Sequence, residues 1–173
     1  LVGGTFLGSA KITSSGGDIA AVVDAIFAVN TPSAARYNAR QSYNTFDGGA
    51  TKVVAPLIQK NDNGVWYTGL QVMNLGPGSA DVKVSYSGLQ GSGQVPDTPV
   101  SGIAEPNFTL QVNESKTILS EFGGPLDSQA LASYGSFRGA ATVEVVGGTG
   151  MVAAIVSVAG EGKADVAYYS AFD

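Results

Sequence analysis

The chain has 173 residues with a formal net charge of −5, only 13 % charged residues, 24 glycines and neither histidine nor cysteine. Its nine lysines and arginines are scattered singly and form no basic stripe that would neutralise phosphates, which disfavours a nucleic-acid partner. No apolar run approaches the length of about 18 residues that a membrane span requires. A composition rich in Gly, Ser, Thr, Val and Ala indicates one domain of short strands joined by tight turns.

Three strand-like segments open the chain. Residues 6–14 (FLGSAKITS) alternate between two faces of a strand. Residues 18–29 (DIAAVVDAIFAV) are apolar and β-branched, which fits either a doubly buried strand or a short helix. Residues 34–43 (AARYNARQSY) are predicted as the third strand of this group.

The middle of the chain contains five further predicted strands, at residues 51–61, 65–76, 79–88, 107–113 and 115–122. Turn-forming residues separate several of them, at residues 61–64 (NDNG), 76–79 (GPGS) and 88–99 (GLQGSGQVPDTP). A single segment, residues 125–135, offers a helix, with Asp127 or Ser128 as its N-cap and Gly135 just after its end.

The end of the chain repeats its beginning. Phe6 aligns with Phe137 and Tyr37 with Tyr168, so residues 137–143, 150–160 and 164–172 reproduce the three opening segments. A repeat of this length is a repeated domain and not a solenoid unit. We therefore divide the chain into residues 1–47, which duplicate the end of the repeat, and residues 48–173, a complete repeat. The predicted fold is an antiparallel β-sandwich of roughly 10 to 12 short strands.

The duplicated segment, residues 1–47, needs a partner, because three strands with one apolar face are not stable alone. The segment packs either on a neighbouring subunit, as donated strands, or on its own chain, where it enlarges one sandwich. A third alternative is that it is a remnant of an ancestral tandem array that has been clipped. We favour strand donation to a neighbour, which completes the sandwich by strand exchange. Its assembly candidates are Phe6, Ala10, Ile12, Ile19, Val22 and Tyr37.

A run of motifs in the middle of the chain resembles a known group of proteins. A P-L-hydrophobic-x-K-N strand is followed by an aromatic-Thr-Gly strand, a V-x-N-x-G turn and an A-x-V-x-V-x-Y strand. The matching residues are Pro56, Leu57, Lys60, Asn61, Trp66, Thr68, Gly69, Val72, Asn74, Gly76, Ala80, Val82, Val84 and Tyr86. The pattern resembles secreted, multi-repeat β-sandwich proteins of the surface and filaments of filamentous, often thermophilic bacteria. This resemblance implies an extracellular structural or surface protein and implies no reaction.

Two polar stretches contain candidate ligand or modification sites. Asn61, Asp62 and Asn63 offer the hard oxygen ligands that Ca²⁺ prefers, although Asx-rich turns are common without a metal. We expect no cofactor, with calcium as the alternative. Asn107 and Asn113 each begin an N-glycosylation sequon and are the glycan candidates.

Catalytic patterns are weak, and we predict no catalytic residues and no enzyme. Residues 143–156 (VEVVGGTGMVAAIV) imitate a dinucleotide fingerprint, but β-branched residues follow the glycines where a helix is required, so a hairpin turn is favoured. Ser115 and Lys116 formally permit a Ser–Lys dyad, but nothing places the lysine in a desolvated pocket. The carboxylates fall in turns or on polar strand faces, where we expect them to be solvated.

The predicted function is that of a structural subunit outside the cell, which polymerises with copies of itself. Because the chain begins at Leu1, either a leader has been removed or the sequence is trimmed, and we expect a secreted protein. The alternative is a carbohydrate-binding or adhesin module of a larger surface protein. Its sugar platform would be drawn from the exposed aromatic residues among Trp66, Tyr67, Tyr86, Tyr134, Tyr168 and Tyr169.

Overall fold

The computed structural model describes residues 10–16, 21–29, 37–44, 46, 48–91, 98–119, 128–160 and 166–173, and these residues form strands and turns without a helix. The strands are β1 (Val22–Val29), β2 (Tyr37–Asn44), β3 (Lys52–Lys60), β4 (Trp66–Asn74), β5 (Ala80–Gly91), β6 (Thr98–Ala104), β7 (Phe108–Leu110), β8 (Ser115–Leu119), β9 (Ser136–Gly148), β10 (Val152–Gly160) and β11 (Val166–Ser170).

Two antiparallel sheets pack face to face as a β-sandwich, which confirms the predicted fold class. One sheet has the order β11-β10-β4-β8, and the other has the order β3-β9-β5-β6, with β7 also paired to β5. Their facing side chains form a single core, with Leu70, Val72 and Val156 from the first sheet and Val82, Val143 and Phe137 from the second, each at most 2 % exposed.

The alternation of the sequence explains which face each strand buries. Along β5, Ala80, Val82 and Val84 are fully buried, whereas Asp81 and Lys83 between them are exposed. Successive side chains of a strand point to opposite sides, so this spacing places every apolar residue of the run in the core. The A-x-V-x-V-x-Y motif is therefore a core-facing pattern.

The two sheets are also joined along the edge where β3 lies. Val54 of β3 and Phe172 exchange backbone hydrogen bonds of 2.6 and 3.1 Å, and Ala50 and Val152 exchange bonds of 2.9 and 2.8 Å. Between Ala55 and Ile58 the register of β3 shifts, so this strand bulges next to the joined edge.

The glycine-rich segment after β9 is a turn between sheets. β9 belongs to the five-stranded sheet and β10 to the four-stranded sheet, so the predicted hairpin between them is wrong. The glycines are followed by a strand, β10, and not by the helix that a dinucleotide-binding motif requires. Gly148 has a φ of 82°. A Cβ at Gly150 would lie 2.5 Å from the Cβ of Ala80 and 2.8 Å from Oδ1 of Asn74, so the crossing requires glycine there.

The predicted helix over residues 125–135 is wrong in the part that the structure describes. Residues 128–134 form hydrogen-bonded turns, in which Ala132 donates to the carbonyl of Gln129 at 3.4 Å and Tyr134 to that of Leu131 at 3.2 Å. Residues 125–127 lie outside the described part of the chain. We call residues 128–135 the clamped turn, since the side chains of Lys60 and Glu105, both distant in the sequence, hold its backbone groups.

The duplicated segment forms a small sheet of its own. β1 and β2 pair as an antiparallel hairpin from Val22 opposite Asn44 to Val29 opposite Tyr37, and this hairpin belongs to neither sheet of the sandwich. β2 lies alongside β11. Residues 10–14 form no strand, which contradicts the prediction for that part of residues 6–14, while residues 6–9 lie outside the described residues.

Candidate functional site

The assembly candidates fall on the hairpin and on the stretch before it. Ala10 and Ile12 are exposed, and Ile12 at 61 % exposure has the largest exposed fraction among the described large apolar side chains. Val22 begins β1 and Tyr37 begins β2. Phe6 and Ile19 lie outside the described residues. The described candidates therefore lie on the hairpin strands or on the exposed stretch before them.

The second copy of the repeated segment forms part of the two sheets of the sandwich. β9 and β10 contribute Phe137, Val143 and Val156 to the core, and β11 pairs with β10 at the edge of the four-stranded sheet. Ala171 donates its N–H to the carbonyl of Ala154 at 2.9 Å and Phe172 donates to Val54 at 3.1 Å. The backbone that continues β11 thus forms a hydrogen bond with β10 at Ala171 and with β3 at the next residue, Phe172.

Tyr169 of β11 closes the edge where β3 bulges. Its hydroxyl accepts a hydrogen bond from the N–H of Leu57 at 3.0 Å and donates one to the carbonyl of Leu57. The bulge takes Leu57 out of the ladder with β9, and the phenol satisfies both of its backbone groups. Burial raises the pKa of Tyr169 to about 12, and the hydrogen bonding to Leu57 opposes part of this increase.

A buried carboxylate lies at the start of the clamped turn. Glu105 is 6 % exposed and accepts hydrogen bonds at Oε1 from the Tyr86 hydroxyl at 3.0 Å and the Ser128 hydroxyl at 2.5 Å. Its Oε2 accepts from the N–H groups of Gln129 at 3.0 Å and Ala130 at 3.2 Å. Burial, together with the charge of Glu105, raises the pKa of Tyr86 far above its ordinary value.

A buried ammonium lies at the other end of the clamped turn. Lys60, also 6 % exposed, donates from Nζ to the carbonyls of Leu131 at 2.7 Å, Ala132 at 3.3 Å and Tyr134 at 2.6 Å. Glu105 therefore holds N–H groups and Lys60 holds carbonyls of one short segment. Both contacts join residues far apart in the chain, which is why sequence reasoning missed them.

Buried carboxylates correct the prediction that the acidic residues are solvated. Glu105 and Asp62 are both buried, at 6 % and 3 % exposure, because each accepts hydrogen bonds that replace those of water. Asp62 accepts from Nε2 of Gln59 at 2.7 Å and lies 3.7 Å from the guanidinium of Arg138. These two carboxylates serve the packing of the turns around them.

The calcium candidates occupy the turn between β3 and β4. Asn61 and Asn63 have positive φ angles of 48° and 52°, and Asp62 and Trp66 exchange backbone hydrogen bonds of 3.0 Å. Oδ1 of Asn61 accepts a hydrogen bond from the Tyr67 hydroxyl at 3.0 Å. No cluster of three His, Cys, Asp or Glu side chains suited to a metal occurs among the described residues.

The two sequon asparagines are exposed. Asn107 follows β6 beside a shallow cleft of about 80 Å³, lined by Glu105, Pro106, Asn107, Lys116, Ile118 and Gln129. Lys116 stacks over the Phe108 ring at 4.3 Å, which connects β8 to β7. Asn113 sits in the turn before β8 with a φ of 64°. Both sequons stay predictions.

The asparagine of the V-x-N-x-G motif, Asn74, joins three turns at one end of the sandwich. Its Nδ2 donates to the carbonyls of Gly78 at 2.8 Å, Leu110 at 3.1 Å and Gln111 at 3.3 Å. Its Oδ1 accepts from Gly76 at 2.9 Å and Met151 at 3.2 Å. The side chain is fully buried, so this motif residue acts within the fold.

The six aromatic candidates for the sugar platform differ in how deeply they are buried. Tyr86 is 3 % exposed and meets the Phe137 ring edge-on, with ring centroids 6.1 Å apart. Trp66, Tyr134 and Tyr169 are half-buried against the core. Tyr67 and Tyr168 are also half-buried, so five of the six candidate aromatic residues keep part of their surface exposed.

Comparison with family models, with curated proteins and with solved structures finds no match to this chain. Within the described ranges, no helix is long and apolar enough to cross a membrane. The fold defines the class as an antiparallel β-sandwich that carries an additional β-hairpin.

Proposed function

We propose that the chain is an extracellular structural subunit that assembles with copies of itself into a filament, tube or surface layer through β-strand complementation. One observation carries the proposal: the two copies of the repeated segment lie in different environments. The second copy supplies core strands of the sandwich, whereas the first copy forms a separate hairpin preceded by exposed residues.

The energetic argument concerns the hairpin. An isolated two-stranded hairpin is marginally stable at best in water, so a segment of this kind gains stability by pairing with a larger sheet. The described residues before it, including Ile12, present apolar surface to solvent. Burying that apolar surface on a neighbouring subunit would be favourable. Because the donor surface and the acceptor surface are different, each subunit can bind a further subunit and the polymer can grow.

The proposal is tested by electron microscopy and size-exclusion chromatography of the full chain and of a chain that begins at Gly48. The shorter chain retains both sheets and every core residue of the described part of the chain, so we expect it to fold. The full chain should form regular polymers and the shorter one should remain monomeric. Monomers from both chains would contradict the proposal and would favour the alternative, a glycan-binding module.

A matched pair of substitutions probes the same joint without truncation. Ile12→Asp places a charge on a side chain that is exposed in the single chain, so its effect on folding should be small. We expect Ile12→Asp to reduce polymer formation strongly and Ile12→Val to preserve it. Equal polymerisation by both variants would show that this side chain stays outside the joint.

A further inference from the structure

The edges of the two sheets differ in how they are protected against pairing with another chain. Natural sheets protect their edges with proline, charged residues or bulges. Among the described strands, β3 has Pro56 at its bulge, and β6 has Pro99 and a bulge near Gly102, whose φ is 71°. In β8 the second residue is the exposed Lys116. β7, which pairs with β5, is only three residues long, and very short edge strands resist further pairing.

The second edge strand of the four-stranded sheet, β11, lacks all of these features. Its sequence Val-Ala-Tyr-Tyr-Ser contains no proline, glycine or charged residue, and its register with β10 runs without a bulge from Val166 to Ser170. A regular, uncharged edge is the form of edge that accepts a further strand.

The hairpin β1–β2 is the element best suited to this edge. Tyr37 of β2 corresponds to Tyr168 of β11 in the internal repeat, and β2 lies alongside β11 in the single chain. Addition through β2 would give a sheet of order β1-β2-β11-β10-β4-β8. Its two outer strands would then each contain a charge, Asp24 in β1 and Lys116 in β8.

We infer that the edge of β11 is the acceptor site of the assembly and that its occupant is β2 from a second copy of this chain. The inference rests on the proposed function and names its contact surface. In the assembly, the contact between β2 and β11 of one chain is replaced by the same contact between β2 of one chain and β11 of another. Such an exchange of identical elements is domain swapping. Only residues 45–49 separate β2 from Ala50 at the start of the sandwich, and short connections favour exchange over closure.

Cysteine cross-linking tests the pairing directly, since the natural chain has no cysteine. A chain with Ala39→Cys in β2 is mixed with a chain that has Ala167→Cys in β11, and a short bismaleimide is added under polymerising conditions. We expect covalent dimers of the two variants. Ala39→Cys mixed with Lys116→Cys on the opposite edge, β8, is the control and should give none.

The outcomes separate the inference from the proposed function. If polymers form but Ala39→Cys reacts with Lys116→Cys, or reacts with neither partner, β11 is not the acceptor. The proposed structural role would then still hold. An Ala39→Cys/Ala167→Cys double variant provides a further check. If it forms polymers but its cross-links join only residues of the same chain, the inference is wrong. Absence of both polymers and intermolecular cross-links overturns the inference together with the proposed function.

A charge on the acceptor edge gives an independent test. Ala167 and Ala104 are both exposed alanines, one in β11 and one in the edge strand β6 of the other sheet. Ala167→Lys should abolish polymers with the monomer's melting temperature unchanged, whereas Ala104→Lys should leave polymers intact. Polymers of normal yield from Ala167→Lys would overturn the inference.

Discussion

Tyr169 and Asn74 both form hydrogen bonds with backbone groups that have no partner within the hydrogen-bond ladders of the sheets. Asn74 binds groups of three turns, and Tyr169 binds both groups of Leu57 at the bulge of β3. Buried backbone groups without partners are costly, so the fully buried Asn74 permits tight turns that would otherwise be unfavourable. Tyr169 fixes the conformation of the bulge at Leu57, which is exposed. Each contact depends on the hydrogen-bonding group of one side chain.

The raised pKa of Tyr169 predicts a loss of stability at high pH. The phenol ionises near pH 10 in the unfolded chain and near pH 12 in the folded one, so its contribution is fully present below about pH 10. It is lost as the pH rises through 12. Urea unfolding at a series of alkaline pH values should show a smaller decrease in the free energy of unfolding for Tyr169→Phe than for the unmodified chain. Parallel pH profiles would contradict this assignment.

At the scale of elements, the clamped turn illustrates how strands far apart in sequence decide a local conformation. Residues 128–135 contain plausible helix-capping residues, yet they form turns. Glu105 takes the N–H groups of Gln129 and Ala130, and Lys60 takes the carbonyls of Leu131, Ala132 and Tyr134. Tertiary partners thus replace the hydrogen bonds that a longer helix would have supplied.

Removing the ammonium should weaken this turn and the fold around it. Lys60→Met removes the donor that the carbonyls of Leu131, Ala132 and Tyr134 share, although Leu131 still accepts from the N–H of Tyr134. We expect a loss of about 1–3 kcal/mol in the free energy of unfolding. Amide hydrogen exchange should accelerate at residues 131–134 before it does elsewhere. Lys83→Met, on the exposed face of β5, is the control and should change little. Equal effects of the two substitutions would contradict the clamp.

At the scale of the whole molecule, assembly and stability are linked. If the hairpin docks on a neighbour, folding and association share one free energy, and the melting temperature must depend on concentration. We expect the melting temperature of the full chain to rise with protein concentration, while that of the chain beginning at Gly48 stays constant. Scanning calorimetry over a wide concentration range measures both. A constant value for the full chain would indicate that the hairpin stabilises only its own molecule.

The alternating strands were predictable because their local pattern and their tertiary environment agree. β4, β5 and β10 match the predicted segments within a few residues, since period-2 alternation or β-branched runs need no distant information. β6 was missed because Pro99 and Gly102 are typical of loops. An edge strand tolerates both, since one side of it needs no ladder and a bulge absorbs the glycine.

The sequence by itself determined the all-β class, the sandwich pattern of buried faces and the internal repeat, because each depends on spacing along the chain. Only the tertiary structure decided that the GGTG turn crosses between sheets, that Glu105 and Lys60 hold one turn from both ends, and that the two copies of the repeat lie in different environments. These features depend on which strands become neighbours. That choice is made by packing the core, and segments of similar pattern can therefore end in different sheets.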